Sequence, residues 1–285
     1  MTSNRRRAIA AATEVAAALG LAVETAHVLQ GSNRLAVRLL PCNVLARVAN
    51  EQESGWAEFE LGLALRLAQS RAPIGVLEPR VRPDAYVHDG FVVTLWTYYE
   101  TAPSIASTPA DYAHALLRLH AEMRHIDMPT PHFTDRISEA QRLVGDREQT
   151  PALADADRDL LASTLQRLRQ AVSTRGVPEQ LLHGEPHPGN VLRTKGGLLF
   201  IDLQTCCRGP IEFDLAHVPE QVITQYPRAD QQLLHDCRLL VLAMVAAWRW
   251  DRNDQFPNGA QAARAYVSSL REAVSGAPVS APSLF

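Results

Sequence analysis

Three side chains that can bind metal or protons, Glu185, Asn190 and Asp202, occur within one short stretch of the chain. Glycines and prolines between residues 184 and 189 exclude both a helix and a strand ladder, so the stretch predicts a loop that aims these side chains. Amide and carboxylate oxygens suit Mg²⁺, which takes one or two protein oxygens and leaves its other positions to water and phosphates. Glu185 is placed to accept the proton of a hydroxyl group.

A β-hairpin is predicted between the amide and the second acid. Residues 191–192 and 198–201 are apolar and predict its two strands, and Lys195-Gly196 lies at the centre of its turn. That turn would bring Asn190 next to Asp202 at the open end of the hairpin. The pattern therefore predicts a pair of oxygen ligands for one divalent cation.

The motifs occur in the order His183-Gly184-Glu185, His187-Pro188-Gly189-Asn190 and Ile201-Asp202. A base, then an amide ligand, then an acidic ligand is the order that kinase-type phosphotransferases use. The stretch resembles the aminoglycoside phosphotransferase and choline kinase-like family, whose usual pattern is His-Gly-Asp, His-Pro-Gly-Asn and an apolar strand ending in Ile-Asp. The chain departs from the family at one position, because the family's catalytic Asp is Glu185 here.

The resemblance implies an α+β, bilobal protein-kinase-like fold. Its antiparallel-sheet, nucleotide-binding N-terminal lobe would span residues 1–97, and its mostly helical C-terminal lobe, with the catalytic hairpin and the acceptor site, residues 98–285. Apolar periodicity and turn residues in the sequence agree with this plan. They predict strands at 21–29, 35–40, 44–48, 86–87 and 91–96, and helices at 8–19, 56–69, 110–123, 137–143, 157–172, 231–250 and 260–274.

An ATP or GTP site in the first lobe follows from the same resemblance. The turn at residues 30–33 would lie over the phosphates with Ser32 as a donor, although a plain hairpin turn explains the same residues equally well. In the resembled fold, adenine binds to backbone groups at the end of the last strand of the sheet. This implies a base-binding role for Leu95, Trp96 and Tyr98.

Arg47 is a charge inside the apolar third strand. The family commonly has Lys or Arg here, where it contacts phosphates and pairs with a Glu of the next helix. Because Lys195 is the only lysine of the chain, the role falls to Arg47, whose planar fork can engage two oxygens at once. Glu60 is the predicted partner, with Glu53 and Glu58 as rivals.

Two further polar residues are predicted to support the catalytic loop. His120 ends a Leu-His helix that resembles the family's helix behind that loop, which implies a buried, hydrogen-bonded structural histidine. Asp214 opens an apolar helical stretch and is predicted to be its N-cap. In kinase-like folds an Asp at this place also braces the backbone of the catalytic loop.

The function implied by the resemblance is phosphorylation of a small-molecule hydroxyl by ATP or GTP. Glu185 would be the base, and Asn190 and Asp202 would hold Mg²⁺. The segment from Gly209 to the end has eight Asp/Glu and six Arg, so the strong acidic bias expected for a polycationic acceptor is absent. Aminoglycosides, sugars, macrolides and amino alcohols all stay open as acceptors, antibiotics included, as does the oligomeric state.

The composition of the chain limits which other partners and which location are expected. A net charge of -3 gives no nucleic-acid footprint, and no apolar run is long enough to cross a membrane. The four cysteines form no Cys-x-x-Cys pair, which predicts reduced thiols and a cytoplasmic protein. Arg5 to Arg7 precede an alanine-rich run that Thr13 and Glu14 interrupt, which favours an N-terminal helix over a signal peptide.

Two other classes of function stay open. The first is a catalytically inactive nucleotide-binding protein with the kinase fold, which the Asp-to-Glu change and the missing lysine would suit. The second is a zinc-dependent deaminase or hydrolase, because His183-x-Glu185 is followed by Cys206-Cys207. Adjacent cysteines cannot reproduce the two-residue spacing that brings both thiolates to one zinc ion.

Overall fold

The computed structural model describes residues 3–31, 34–102, 107–227 and 229–275. The α-helices within these ranges are α1 (Ser3–Ala18), α2 (Ser54–Leu67), α3 (Pro109–Met123), α4 (Phe133–Gly145), α5 (Asp155–Ser173), α6 (Ile211–Leu215), α7 (Glu220–Ile223), α8 (Gln231–Arg249) and α9 (Gly259–Val274). None of these described helices is both long enough and apolar enough to cross a membrane.

The strands are short and fall into three sheets. They are β1 (Val23–Gly31), β2 (Leu35–Pro41), β3 (Val44–Asn50), β4 (Tyr86–His88), β5 (Phe91–Thr97), β6 (Gln180–Leu182), β7 (Val191–Thr194), β8 (Gly197–Phe200) and β9 (Cys207–Gly209). The predicted strands and the predicted helices are all confirmed, with ends that differ by a few residues.

The chain forms two compact units. The first comprises Met1–Ser107 with Val191–Gln204, and the second comprises Thr108–Asn190 with Thr205–Phe285. The lobe boundary predicted after residue 97 stays a prediction. Asp202 therefore belongs to the first unit, whereas Glu185 and Asn190 belong to the second.

An antiparallel sheet with the strand order β1-β2-β3-β5-β4 forms the frame of the first unit. Strands β2 and β3 alternate buried and half-buried residues, so each turns one face toward a core. The alanines of α1 pack into that core, because small side chains let the helix approach the sheet closely. The alternation puts Arg47 on the opposite face of β3 from Ala46 and Val48.

The hairpin of β7 and β8 also lies in the first unit. Val191 pairs with Phe200 and Thr194 with Gly197, so Lys195 and Gly196 form the turn as predicted. Phe200 is fully buried and connects the hairpin to the segment after α2: its N–H donates to the Pro73 carbonyl at 2.7 Å, and its own carbonyl accepts from Gly75 N–H at 2.9 Å. These bonds fix the end of the strand that precedes Asp202.

The second unit is helical around one apolar core. Helix α8 is buried on nearly all sides because it packs against α4, α5, α6 and α9. The strands β6 and β9 pair antiparallel, with Leu182 opposite Cys207. Helix α4 begins at Phe133, earlier than predicted, because His132 and Asp135 form a capping box at its start.

Candidate active site

In the first unit, Arg47 joins two carboxylates. Its Nη1 donates to Glu60 Oε1, and its Nη2 donates to Asp202 Oδ1 at 2.6 Å. Glu60 lies in α2 and is 3% exposed. The predicted ion pair between strand and helix is thus present, with Glu60 rather than Glu53 or Glu58 as the partner.

Backbone contacts fix the direction of Asp202. Its φ of 69° lies in the left-handed region, which is uncommon for a residue with a side chain. The next residue, Leu203, donates its N–H to Glu60 Oε1 at 2.9 Å. The Asp202 side chain is 27% exposed, whereas that of Glu60 is 4% exposed, so Asp202 presents the accessible carboxylate of the cluster.

Two carboxylates share the Arg47 guanidinium in this cluster, and the charge of Arg34 also acts on Glu60. Burial opposes the charge of Arg47, but Glu60 and Asp202 outweigh burial and raise the Arg47 pKa above its ordinary value. Burial also raises the pKa of Glu60, and the two donors to its Oε1 act against that effect. Asp202 is the more exposed of the two carboxylates, so it is the one that a divalent cation could reach.

A Mg²⁺ ion fits this donor set. The described residues contain no group of three or more His, Cys, Asp or Glu side chains that could hold a metal, so no all-protein cage is present among them. Magnesium does not need one, because it binds through one or two protein oxygens and the substrate's phosphates. Asp202 offers such an oxygen.

The residues predicted to bind the base lie at the end of β5. Leu95 and Trp96 are buried, and the indole Nε1 of Trp96 donates to Thr94 Oγ1 at 2.8 Å. β5 is hydrogen-bonded on both sides here: β3 pairs along one edge, and Leu77 bridges Trp96 on the other. Tyr98 lies beyond this ladder, with its ring centroid 4.0 Å from the guanidinium carbon of Arg38.

Ser32 belongs to the turn that is predicted to lie over the phosphates. The strands on either side pair as expected, with Gly31 opposite Leu35. Ser32 itself, like Asn33, lies outside the described residues. Its role on the phosphates stays a prediction.

A buried aspartate braces the catalytic loop of the second unit. Asp214 accepts from His183 N–H at 2.9 Å and from Gly184 N–H at 2.7 Å, which is the predicted brace. Its predicted N-cap role was wrong: α6 begins at Ile211, so Asp214 lies inside the helix, and its carboxylate is committed to the loop.

His120 has the structural role predicted for it. It is 2% exposed, its Nε2 lies 2.9 Å from Asp214 Oδ2, and its Nδ1 lies 2.7 Å from Tyr226 Oη. Gly184 has a φ of 86°, and a Cβ there would overlap the carbonyl of Thr205. The loop backbone before Glu185 is therefore held by hydrogen bonds and by a position that only glycine fits.

Glu185 is ion-paired in the second unit. Arg136 of α4 donates from Nη2 to Glu185 Oε1 and from Nη1 to the Gly184 carbonyl at 3.1 Å. The guanidinium lies over the Trp248 ring, 5.0 Å from its centroid. Asn190 Nδ2 donates to the Glu185 carbonyl at 3.0 Å, which leaves its amide oxygen as the atom that could bind a metal.

The Glu185 carboxylate is stabilised in its charged form. Burial opposes ionisation, but the charge and the hydrogen bond of Arg136 outweigh it and lower the Glu185 pKa below its ordinary value. His217 is buried as well, and burial lowers its pKa to about 4. Glu185 is thus an ionised carboxylate at neutral pH, as a general base must be.

Arg136 and Trp248 were the two members of this cluster with the weakest sequence signal. Arg136 follows two prolines in a polar stretch and precedes the predicted start of α4. The capping pair His132 and Asp135 was the available sign that the helix begins early enough to include Arg136. Trp248 lies in the long apolar helix α8, and its contact with Arg136 puts it beside the catalytic loop.

Comparison with known families decides the identity of the fold. The model of the phosphotransferase enzyme family (APH) matches residues 4–252, which is most of the 285-residue chain. The chain belongs to this family. Members of the family are phosphotransferases, and the resemblance inferred from residues 183–202 is confirmed.

Solved structures agree on the fold at low identity. An amicoumacin kinase in complex with AMP-PNP, Ca²⁺ and Ami has a TM-score of 0.72 at 11% identity, with 100% of both chains covered. Choline kinase LicA from Streptococcus pneumoniae has a TM-score of 0.65 at 18% identity, covering 95% of this chain and 100% of the other.

A third neighbour is the GDP complex of aminoglycoside 2'-phosphotransferase-IIIa, with a TM-score of 0.66 at 14% identity over 94% of this chain and 99% of the other. The chain therefore has the kinase-like α+β fold of small-molecule kinases. No curated protein sequence matches it.

The cysteines of the zinc alternative are buried. Cys206 and Cys207 are each 1% exposed. Burial raises the pKa of the Cys207 thiol, whereas a zinc ligand must be a thiolate. This environment favours a structural role for the pair.

Proposed function

We propose that the chain is a magnesium-dependent kinase that transfers the γ-phosphoryl group of ATP or GTP to a hydroxyl of a small molecule. The single observation that carries the proposal is the cluster of Arg47, Glu60 and Asp202, because it puts an accessible carboxylate beside a guanidinium, the kind of group that can bind phosphate. Phosphoryl transfer relies mainly on positioning and charge neutralisation, and such a cluster supplies both.

The roles follow from the chemistry of each side chain. Glu185 would accept the proton of the acceptor hydroxyl, since it is ionised and 22% exposed. Asp202 and Asn190 would hold Mg²⁺ through a carboxylate and an amide oxygen, and that ion would neutralise charge on the transferred phosphates. Arg47, oriented by Glu60, and Ser32 would contact the phosphates.

The base would bind at the end of β5. Because the backbone of Leu95 and Trp96 already takes part in a ladder on two sides, these residues would shape the pocket, and contacts to backbone groups would begin at Tyr98. The described features give no ground for preferring adenine over guanine, so ATP and GTP belong equally to the proposal.

The proposed acceptor is a small molecule with a hydroxyl group: an aminoglycoside-like molecule, a sugar, a macrolide or an amino alcohol. Resistance to an antibiotic is one function within this range. The proposal includes no nucleic-acid or membrane partner, and it places the protein in the cytoplasm because the spacing of its four cysteines is typical of reduced thiols.

One experiment tests the proposal directly. ADP or GDP release should be measured over a panel of these acceptor classes, with Mg-ATP and Mg-GTP in parallel. Release that depends on one acceptor class and is lost without Mg²⁺ would support the proposal. Stoichiometric zinc in protein purified without added metal would instead support the deaminase or hydrolase class.

A second candidate is an inactive kinase-fold protein that binds nucleotide. The observation that favours it is the engagement of Glu185 by Arg136, since a carboxylate held in an ion pair is a weaker proton acceptor. Binding of Mg-nucleotide without transfer to any acceptor of the panel would favour this candidate.

A further inference from the structure

Arg136 contacts three different kinds of group with one guanidinium. It donates to the Glu185 carboxylate and to the Gly184 carbonyl, and its face lies over the Trp248 ring. The Arg136 side chain is 15% exposed. Two of these three contacts do not involve Glu185, so the position of the guanidinium is set by the loop backbone and by α8 as well as by its ion pair.

The start of α4 is itself attached to the strands that lead into the catalytic loop. Arg208 N–H donates to the Pro131 carbonyl at 2.8 Å, just before the helix. A Cβ at Gly209 would lie only 2.9 Å from the Phe133 ring, so α4 packs directly on β9. β9 in turn pairs with β6, and the catalytic loop follows β6 after Leu182. Arg136 therefore belongs to a helix, α4, whose position relative to the catalytic loop is fixed by β9 and β6.

We propose that Arg136 is a positioning residue for Glu185 and holds the carboxylate of the longer side chain where it can accept the acceptor's proton. Glutamate has one more rotatable bond than the family's aspartate, so its carboxylate can sample more positions. The Arg136 guanidinium removes that freedom, because its Nη2 binds the carboxylate and its Nη1 binds the adjacent Gly184 carbonyl. This inference rests on the proposed kinase function.

The reaction step that depends on this placement is transfer of the γ-phosphoryl group to the acceptor hydroxyl. The O–H bond of the acceptor breaks and its proton passes to the Glu185 carboxylate. The acceptor oxygen forms a bond to the γ-phosphorus while the bond from that phosphorus to the β–γ bridging oxygen breaks. The nucleoside diphosphate leaves with the electron pair, and Arg136 exchanges no proton because guanidinium stays charged.

A purely structural ion pair makes a different prediction. If Arg136 only stabilised the fold, its loss would lower the melting temperature, and the protein that remained folded would keep its kcat. A positioning residue must instead affect kcat through Glu185, and the effect must vanish when Glu185 is no longer a base.

Arg136→Met removes the charge and both hydrogen bonds while keeping an apolar side chain over Trp248. We expect kcat to fall roughly 10- to 100-fold, the cost of misplacing a reacting group by about an ångström, with nucleotide Kd and KM changed less than about twofold. Arg136→Lys, which keeps the charge but loses the fork, should recover part of the loss. Arg271→Met, which breaks the ion pair with Asp157 on the surface of the same unit, is the matched control and should leave kcat unchanged.

The deciding comparison uses Glu185→Gln as the background. There, Arg136→Met should change the residual kcat by less than about threefold, because the group it positions has already been removed. An undiminished kcat in Arg136→Met, or an equal loss in both backgrounds, would overturn the inference. If Arg136→Met does not fold, Arg136→Lys gives the same comparison.

Failure of the proposed function looks different in this experiment. Wild-type protein without acceptor-dependent turnover would contradict the kinase proposal and this role together. A wild type that turns over while Arg136→Met does so equally fast would contradict only the role of Arg136.

Discussion

Arg47 in the first unit contacts two carboxylates, whereas Arg136 in the second unit contacts one. Arg47 lies between Glu60 and Asp202 and pairs with both carboxylates, of which Asp202 is the more exposed. Arg136 pairs with Glu185 alone and completes its contacts with a carbonyl and an aromatic ring. The first cluster leaves a carboxylate accessible, and the second holds a carboxylate in its ionised form.

Different partners suit these different tasks. A carboxylate bound to arginine can exchange that partner for a metal ion, and Asp202 is accessible enough for this at 27% exposure. The Gly184 carbonyl and the Trp248 ring, which also contact Arg136, are not expected to exchange it for a metal ion. Arg136 would therefore keep its position during the reaction. We expect mutations in the first cluster to affect nucleotide and metal binding, and mutations in the second to affect kcat.

The largest effect is expected for Asp202→Ala. This variant removes the more exposed carboxylate of the first cluster, so the increase in melting temperature caused by Mg-ATP should disappear, because a methyl group cannot ligate a divalent ion. Asp89→Ala, which breaks a surface pair with Arg7 in the same unit, should keep the full increase. An unchanged Mg-ATP response in Asp202→Ala would refute the metal-binding role of Asp202.

Glu185→Gln should lower kcat by roughly 10²- to 10⁴-fold with nearly unchanged nucleotide affinity, because it keeps the shape of the side chain but removes the base. Glu185→Asp restores the family's residue, yet we expect it to be impaired as well. Its carboxylate would be withdrawn from Arg136 by about an ångström. Single-turnover kinetics should be used, and a Gln variant with full turnover, or an Asp variant faster than wild type, would contradict this view of Glu185.

Arg47→Ala should weaken ATP binding by roughly 10- to 100-fold, the range of charge-assisted hydrogen bonds. Adenosine binding should change little, since adenosine lacks the charges that Arg47 would neutralise. Glu60→Gln should act in the same direction but less strongly, because it orients Arg47 without touching nucleotide. Arg80→Ala, which breaks another arginine–glutamate pair of this unit, serves as the control in calorimetric titrations. Equal losses for ATP and adenosine would mean that Arg47 is structural.

His217, in the second unit, should make the free energy of unfolding depend on pH, an effect smaller than those of the substitutions above. Its pKa is about 4 in the folded chain and about 6.5 when unfolded, so the unfolded chain binds a proton first as pH falls. Stability should therefore decrease from pH 6.5 toward pH 4, by about 2 kcal/mol between pH 7 and pH 5.

Urea unfolding at the two pH values measures this loss. His217→Gln should remove most of the difference, whereas His125→Gln, at an exposed position, should keep it. The depressed pKa values of Glu185 and Asp214 act at lower pH, because their stabilisation is lost only as pH falls below the ordinary carboxylate range. A His217→Gln variant with the full wild-type loss would contradict burial as the cause.

Much of the first cluster could be predicted from the sequence. Arg47 interrupts an apolar strand, and that contrast identified it as functional; Glu60 begins the apolar face of the next helix. Asp202 follows an apolar strand whose turn fixed its register. In each case the repeat of apolar residues, every two residues in a strand or every 3.6 in a helix, indicated which polar side chain departs from the pattern.

The second cluster was harder to predict because its contacts join residues far apart in sequence. Arg136 and Glu185 are brought together by the attachment of α4 to β9, for which no periodicity exists. Asp214 has the residue type of an N-cap, but tertiary hydrogen bonds to the loop backbone, rather than local capping, determine its role. Composition alone also cannot show which of many arginines is buried.

The most direct test of the central claim is to detect a phosphorylated acceptor by mass spectrometry after incubation with Mg-ATP or Mg-GTP and each compound of the acceptor panel. We predict a phosphorylated product from at least one hydroxyl compound with wild-type protein, and none with Asp202→Ala or without Mg²⁺. Mg-nucleotide binding in calorimetry, with no phosphorylated product from any compound, would contradict the claim that this chain is a kinase.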